Sequence, residues 1–452
     1  MGVDFWGGLK MEIQLSEHFD YKKLLKFTFP SIIMMIFSSV YGVVDGLFIS
    51  NFVGKTAFTA VNFAMPVLMI LGSVGFMFGA GGSAIIAKTM GEGKREEAKK
   101  QFSMLVYVLI ILSVLLAVLG FIFLRPILSI LGAEGEMLDD CVLYGQIILF
   151  ALPALILQFA FQSFFIAAEK PDIGLKVTVV AGVGNMVLDA LFIAVFKLGI
   201  AGAALATAIS QCSGGIIPLI YFAKENPTPL RLTKPTFHMG TLANACANGS
   251  SELLSNIAMS IVGMLYNVQL LKYAGEDGVA AYGVLMYVNM IFLAIFIGYS
   301  MGTAPVVSYH YGAANHAELQ SLRKKSLIII GISSLIMFLL AETLARPLSM
   351  IFSSYDENLF DMTVRAFLIY SFSFLFSGFA IWSSSFFTAL NNGVVSAIIS
   401  FLRTLVFQVA AVLILPLVLG LDGIWLSIVA AEVMAVILGI IFLVALRKRY
   451  RY

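Results

Sequence analysis

Charge is scarce in this 452-residue chain: Asp, Glu, Lys and Arg together make up 12% of it, about half of the roughly 25% usual in soluble domains. Cysteine is scarcer still, at three residues. Cys141, Cys212 and Cys246 are too few and too scattered for a disulfide framework or a metal site, and they read as packing residues. Neither sign of charge dominates: 28 basic residues stand against 26 acidic ones for a net +2, which offers nucleic acid no basic field and leaves no acidic tail. Residues 1–26 contain no apolar run of the signal-peptide kind, so the first span is expected to direct insertion, with Met11 as an alternative start.

Catalytic and energy-coupling signatures are missing too. There is no Gly-x4-Gly-Lys-[Ser/Thr] loop for ATP and no His-Glu-x-x-His for zinc hydrolysis. Gly298-Tyr-Ser-Met-Gly302 matches a nucleophile-elbow pattern, but it sits inside an apolar span without the strand-to-helix turn that an elbow needs. Gly79 to Ala84 resembles a dinucleotide loop with no strand before it, and both stretches read as helix packing. The four histidines, His18, His238, His310 and His316, form no evident cluster. An enzyme or sensor is therefore disfavoured, and no cofactor is expected.

What the chain has in abundance is apolar length. Hydrophobic residues make up 60% of it, arranged in stretches of about 20 residues, each able to cross about 30 Å of hydrocarbon. Twelve spans fit, near 27–51, 57–87, 102–124, 141–168, 173–196, 199–223, 248–272, 278–308, 326–345, 363–390, 394–418 and 421–446. Spans 2 and 8 are long enough to project a turn or two beyond the lipid. When the basic residues are assigned to alternate sides, 21 of the 28 fall with the termini, six fall opposite, and Arg403 alone lies well inside a span. By the positive-inside rule, both termini face the cytoplasm of a multi-pass inner-membrane protein.

Shifting the sequence against itself until Gly54 falls on Gly275 also brings Gly81 onto Gly302, Gly91 onto Gly312, Arg125-Pro126 onto Arg346-Pro347, Leu198-Gly199 onto Leu419-Gly420 and Gly202 onto Gly423. Ser163-Phe164-Phe165 falls on Ser385-Phe386-Phe387 after a local slip of a single position. Six spans per copy is an even number, so the copies enter the membrane in the same direction. Such parallel repeats pack about a pseudo-two-fold axis along the membrane normal and leave a cleft between them. The expected layout is a cytoplasmic segment 1–26, a six-helix bundle 27–223, a linker 224–247 interrupted by Pro227, Pro229 and Pro235, a second bundle 248–446, and a basic tail 447–452.

An ionisable side chain near the middle of a span costs about 2.5–3.5 kcal/mol on insertion scales and calls for a reason. Asp45 in span 1 and Asp189 in span 5 stand out. Helical spacing of four places Tyr41 beside Asp45 and Asn185 beside Asp189, and Thr207 of span 6 returns at a similar depth. Two carboxylates, an amide and a hydroxyl are hard oxygen ligands that suit Na⁺, or a shared proton when one acid is protonated. The second half lacks this cluster: Tyr266 stands where the first half has Asp45, and Ala410 where it has Asp189. Tyr144, Gln158 and Gln162 of span 4 can face the same cavity, with Met34, Met35, Phe37, Phe161, Phe165, Met286 and Tyr287 as a soft lining of the kind promiscuous sites use. Glu252 is either a helix-start acid favoured by the macrodipole or a functional group, and Arg403 with Glu432 reads as a structural ion pair. Pro30 opens span 1 and Pro66 interrupts span 2, where a missing donor can mark a bend. Gly42 and Gly46 form a small-residue face flanking Asp45.

Taken along the whole chain, these features resemble the MATE (multidrug and toxic compound extrusion) family, most closely its DinF-like prokaryotic branch. The resemblance rests on six-plus-six parallel spans, Pro30 and Asp45 in span 1, Asn185-x3-Asp189 followed in the next span by Thr207, and the Gly91-Glu-Gly93 loop echoed at Gly312. It implies an all-α membrane protein of two bundles, a cation site at Asp45, Asn185, Asp189 and Thr207 for Na⁺ or H⁺, and a substrate cavity involving Tyr41, Tyr144 and Gln162. Span 10 carries no acid, unlike the NorM-like pattern, and Glu252 is the one candidate nearby for a second cation site. The implied activity is antiport of amphipathic or cationic drugs by a monomer among membrane lipids. A lipid-linked saccharide flippase of related fold is the alternative, although such relatives usually carry extra spans and basic central cavities.

Overall fold

The computed structural model describes residues 13–353 and 357–452; Lys10 and Met11, which entered the charge and start-site readings, lie outside them. All regular secondary structure among the described residues is helical. In order it forms α1 (Tyr21–Phe48), α2 (Lys55–Gly91), α3 (Arg95–Ile130), α4 (Gly135–Ala167), α5 (Pro171–Asp189), α6 (Gly199–Ala223), α7 (Met239–Gly312), α8 (His316–Ser353), α9 (Glu357–Ser371), α10 (Phe374–Ala389), α11 (Gly393–Phe401), α12 (Gln408–Leu419), α13 (Leu421–Ala445) and α14 (Arg447–Tyr450). Three π-helical turns interrupt the series, at Ile49–Val53, Ala190–Val195 and Leu402–Phe407.

Nine of these helices are long and apolar enough to cross a membrane, α11 and α12 joined through their π turn make a tenth span, and the bent pair α9 and α10 supplies an eleventh. α7 contains two spans, because its backbone turns at Gly275 (φ 63°, ψ −151°) and brings the rings of Tyr266 and Tyr282 into a 5.2 Å stack across the hairpin. Twelve spans result. The repeat explains which turns look alike: Gly54 and Gly275 have φ of 119° and 63°, and Gly199 and Gly420 have 61° and 59°. A residue with a Cβ is strained at such angles, so glycine recurs at the reversal in both copies. Side chains that face outward are apolar where lipid is expected, as Ile111, Phe150 and Val418 illustrate, since a spanning helix satisfies its own backbone and needs no polar face.

Within the first half α4 is central and packs against α2, α3 and α6, while α1 pairs with α5. In the second half α7 takes the central place among α9, α10 and α11. The two halves meet chiefly where α2 and α1 cross α7, and the meeting is closest at the end of the bundles that carries the termini. There a Cβ added to Gly91 would overlap the carbonyl oxygen of Tyr309, and one added to Gly312 would overlap that of Lys88. Lys88 and Tyr309 are themselves equivalent positions of the repeat, as Gly91 and Gly312 are, so this interlock is reciprocal about the pseudo-two-fold. Gly81 against the Ala245 carbonyl and Gly249 against that of Met77 continue it inward. Backbone contact this tight leaves the bundles closed on the side of the termini.

Several sequence readings change. α1 starts at Tyr21, capped by Asp20, whose carboxylate accepts the Lys23 N–H at 2.7 Å, so Pro30 lies inside the helix and does not open it. Span 10 is not continuous: α9 and α10 meet at 48°. Ser371 Oγ takes the Leu368 carbonyl at 2.8 Å and Ser377 Oγ that of Ser373 at 2.8 Å, while Ser373 and Phe376 N–H groups fall back on three-residue turns, the way serine hydroxyls loosen a helical ladder. Long projecting helices are not confined to spans 2 and 8, since α3 has 36 residues and α8 has 38. The stretch 224–247 is helical from Met239 onward, and its extended part lies against α3 through the Thr233 N–H bond to Ser103 Oγ at 2.8 Å.

Candidate functional site

Asp45 stands one turn from the end of α1 and Asp189 is the last residue of α5, and each of these helices runs directly into a π-helical turn. Such turns insert an extra residue into the ladder and gather at functional sites. Here the Gly54 N–H reaches back five residues to the Ile49 carbonyl at 3.1 Å, and these two π turns pack against one another. α1 comes close enough to α5 because Gly182 lies on the same face as Asn185 and Asp189; a Cβ there would stand 2.5 Å from Phe37 Cε1 and 2.9 Å from Tyr41 Cδ1. The spacing 182, 185, 189 could have identified Gly182 from sequence, whereas the π turns leave no local signal.

The result is a compact acid site. The Asp45 and Asp189 carboxyls lie within electrostatic range of one another, with side chains buried at 8% and 0% relative exposure. Asp45 Oδ1, both Asp189 oxygens and Asn185 Nδ2 are buried without a hydrogen-bond partner. Buried polar atoms are nearly always paired, so three neighbouring acceptor oxygens without a donor form a place for a positive charge. Two buried carboxylates cannot both stay ionised at close range unless a cation lies between them. Tyr144 is fully buried and lies near Thr207, with Asp45 and Asp189 in electrostatic range; Tyr41 adjoins both Asp45 and Gln158. Asp45, Asn185, Asp189, Thr207, Tyr41 and Tyr144 are thus brought together.

Gln158 links this cluster to a narrow cavity lined by Phe161, Gln162, Phe165, Val177 and Pro218, with Gly174 and Gly214 completing its wall. Met34 adjoins it, its Sδ standing 3.7 Å from where a Gly174 Cβ would be. At about 10 Å³ the space holds roughly one water molecule, so a drug-sized ligand requires the bundle to open. A separate cavity of about 320 Å³ at the end of the bundle away from the termini is lined by Val53, Gly54, Thr56, Ala57, Glu136, Asp140 and Ile200. Sequence reading did not single out Glu136 or Asp140. Glu252 does not line the narrow cavity; its electrostatic partner is Arg403 in the second half. Met286 packs against the second half's apolar core.

The second half answers the acid pair with a neutral one. Arg403 occupies the repeat position of Gly182, and Glu432 that of Gln211. The Arg403 Nη2–H donates to Glu432 Oε1 at 2.7 Å and the Nε–H donates to Oε2 at 2.9 Å. Glu432 is 1% exposed, and removing one member of a buried pair of this kind generally costs about 3–5 kcal/mol, which fits a structural role.

Known proteins resemble the chain over nearly its whole length. The model of the MatE family matches residues 30–191 and again 253–414, once in each repeat. The "Multidrug export protein MepA" of Staphylococcus aureus (strain MSSA476) is 26% identical over 433 residues, covering 95% of this chain and 94% of that protein. Among solved structures, a MATE crystal structure in the straight conformation superposes with a TM-score of 0.92 at 22% identity over 98% of this chain and 99% of that one. An outward-facing multidrug resistance MATE transporter of the MOP superfamily superposes at 0.90 and 23% identity, over 98% and 100% of the two chains. Two family matches in register with the internal repeat, on a twelve-span fold shared from end to end, establish that the chain belongs to the MatE family.

Proposed function

We propose that the chain is a secondary active multidrug exporter, expelling amphipathic or cationic compounds in exchange for Na⁺ or H⁺ by alternating access. The observation that carries this reading is the three buried, donor-less oxygens of the Asp45 and Asp189 carboxyls, which lie within electrostatic range of one another. A cation held there, with the Asn185 carbonyl and Thr207 hydroxyl as further oxygen ligands, neutralises a site that Gln158 connects to the narrow cavity. A positively charged drug competes for the same charge, and the bundle opens to one side or the other according to which ligand it holds. Such coupling requires that drug and cation differ in their affinity for the two states, because a ligand with equal affinity for both shifts nothing.

The relatives named multidrug export proteins support this cargo class over the flippase alternative. The termini are assigned to the cytoplasm, the side with 21 basic residues against six, so the closed end of the bundles faces inward and the acids open toward the exterior. The protein works in this reading as a monomer with no cofactor and no chemical step. Reconstituted in proteoliposomes, it is expected to drive accumulation of a cationic dye when either a Na⁺ gradient or a pH gradient is imposed alone. Failure of both gradients to drive transport would refute antiport.

A further inference from the structure

We infer that the segment Gln14–Asp20, immediately before α1, is a clasp that fastens the two bundles together on the side of the termini, with Glu169 and Glu318 as its two anchors. Glu169 belongs to the turn between α4 and α5 in the first half, and its Oε1 accepts the Leu15 N–H at 2.8 Å. Glu318 opens α8 in the second half. Its Oε1 accepts the Phe19 N–H at 2.9 Å and its Oε2 meets His18 Nδ1 at 2.6 Å, while the Lys325 ammonium bonds to the Phe19 carbonyl. The segment therefore bridges elements that sit in different repeats and must separate when this side opens.

The bridge is built into the packing as well. Leu15 and Phe19 are fully buried, and Phe19 makes edge contacts with Phe27 of α1 at 5.7 Å and His310 of α7 at 6.5 Å. The segment is stiffened locally: Glu17 accepts the Gln14 N–H at 2.9 Å and pairs with Lys23 at 2.6 Å. The Gln14 amide and the Lys23 ammonium hold the Glu17 carboxyl below its ordinary range, and the Lys23 amide does the same for Asp20. Both thus stay ionised and acceptor-competent near neutral pH. A short, pre-shaped strap held at each end by a carboxylate on backbone amides is the strong class of hydrogen bond. It also runs directly into α1, the helix that carries Asp45, so a shift of α1 at the cation site pulls on the clasp at the other end of one continuous rod. The clasp rests on the alternating-access reading, for which it is the closing device, and Glu169 and Glu318 act as positioning residues that touch neither cation nor drug.

The test uses the full chain in lipid nanodiscs, with Cys141, Cys212 and Cys246 replaced by Ala, and spin labels at Glu96→Cys and Ala317→Cys, exposed sites on the two halves. Without drug or gradient, Glu318→Ala is expected to raise the long-distance population about tenfold, as fits the loss of hydrogen bonds to a charged group. Glu169→Ala frees only the outer end of a segment that stays joined to α1 and, through Phe19, to Glu318, so a smaller rise is expected. The double variant is expected to match Glu318→Ala, because once Phe19 is released the Leu15 anchor no longer reaches the second half. An unchanged distance distribution in Glu318→Ala, or effects that simply add, would overturn the clasp. Should Glu318→Ala fail to fold, Lys325→Met, which removes the ammonium bonded to the Phe19 carbonyl, decides against Lys325→Arg, which keeps a donor and is expected to keep the short distance. Failure of antiport is distinguished by drug accumulation assayed in parallel: it would leave the distance shifts intact, whereas failure of the clasp would leave transport dependent on Asp45.

Discussion

Replacing Asp189 with asparagine is expected to reduce gradient-driven drug accumulation in proteoliposomes to the passive leak, and Asp45→Asn to do the same. Each substitution keeps the shape of the side chain and removes one of the two charges that a cation can balance. With one carboxylate left, the site is neutral when protonated and has no second anionic oxygen donor for Na⁺. The free energy that links drug and cation, typically about 1–3 kcal/mol or a 5- to 150-fold change in affinity, is lost with it. Drug binding without a gradient is expected to weaken but not vanish, because one of the charges a cationic drug competes for is gone while Gln162, Phe161 and Phe165 lining the narrow cavity are untouched. Gradient-driven accumulation at the level of the unaltered protein in both variants would exclude the acids from coupling.

The second large effect concerns the glycine interlock. Gly91→Ala and Gly312→Ala each place a methyl group against a backbone carbonyl of the opposite half, and a carbonyl in a helix cannot turn aside as a flexible side chain would. Overpacking of this kind costs about 1–3 kcal/mol, and because it arises only where the bundles touch, nearly all of it falls on the state closed at the termini. At about 1.4 kcal/mol per decade, each substitution is expected to shift the equilibrium toward the open form by roughly fivefold to 150-fold, seen as a longer distance between labels at Glu96→Cys and Ala317→Cys and a matching fall in turnover. Gly93, with no atom within 4 Å of an added Cβ but a φ of +80°, separates the two causes: alanine there strains its own loop without touching the other half, so the distance should stay short. Unaltered distances in the Gly91 and Gly312 variants would mean that the interlock does not hold the halves together.

Much of this architecture could be read before the structure was known, for identifiable reasons. The internal repeat aligned Gly54 with Gly275 and Gly199 with Gly420, and all four adopt the positive φ that only a sharp reversal needs. Asp45, Asn185, Asp189 and Thr207 were legible because a charged or amide side chain in a lipid span is costly enough to be informative by itself. Other features depend on contacts remote in sequence. The clasp joins Leu15 to Glu169 and Phe19 to Glu318, separations of 154 and 299 residues, and no local periodicity can disclose it. Hydropathy marked only the apolar part of α1, because Tyr21, Lys22 and Lys23 are polar yet still helical. The break in span 10 escaped notice because serine hydroxyls bonding to carbonyls change the backbone without changing the apolar average. Glu252 could not be placed from its own position, since its partner Arg403 comes from a span much later in the chain.

The most direct measurement is release of the coupling ion on drug binding, followed in purified protein with a pH indicator in weak buffer and, separately, with radioactive Na⁺. If Asp45 and Asp189 hold one cation that a drug displaces, saturating drug should release close to one proton or one Na⁺ per chain from the unaltered protein and none from Asp45→Asn or Asp189→Asn. Equal release from all three proteins would contradict the shared-cation site.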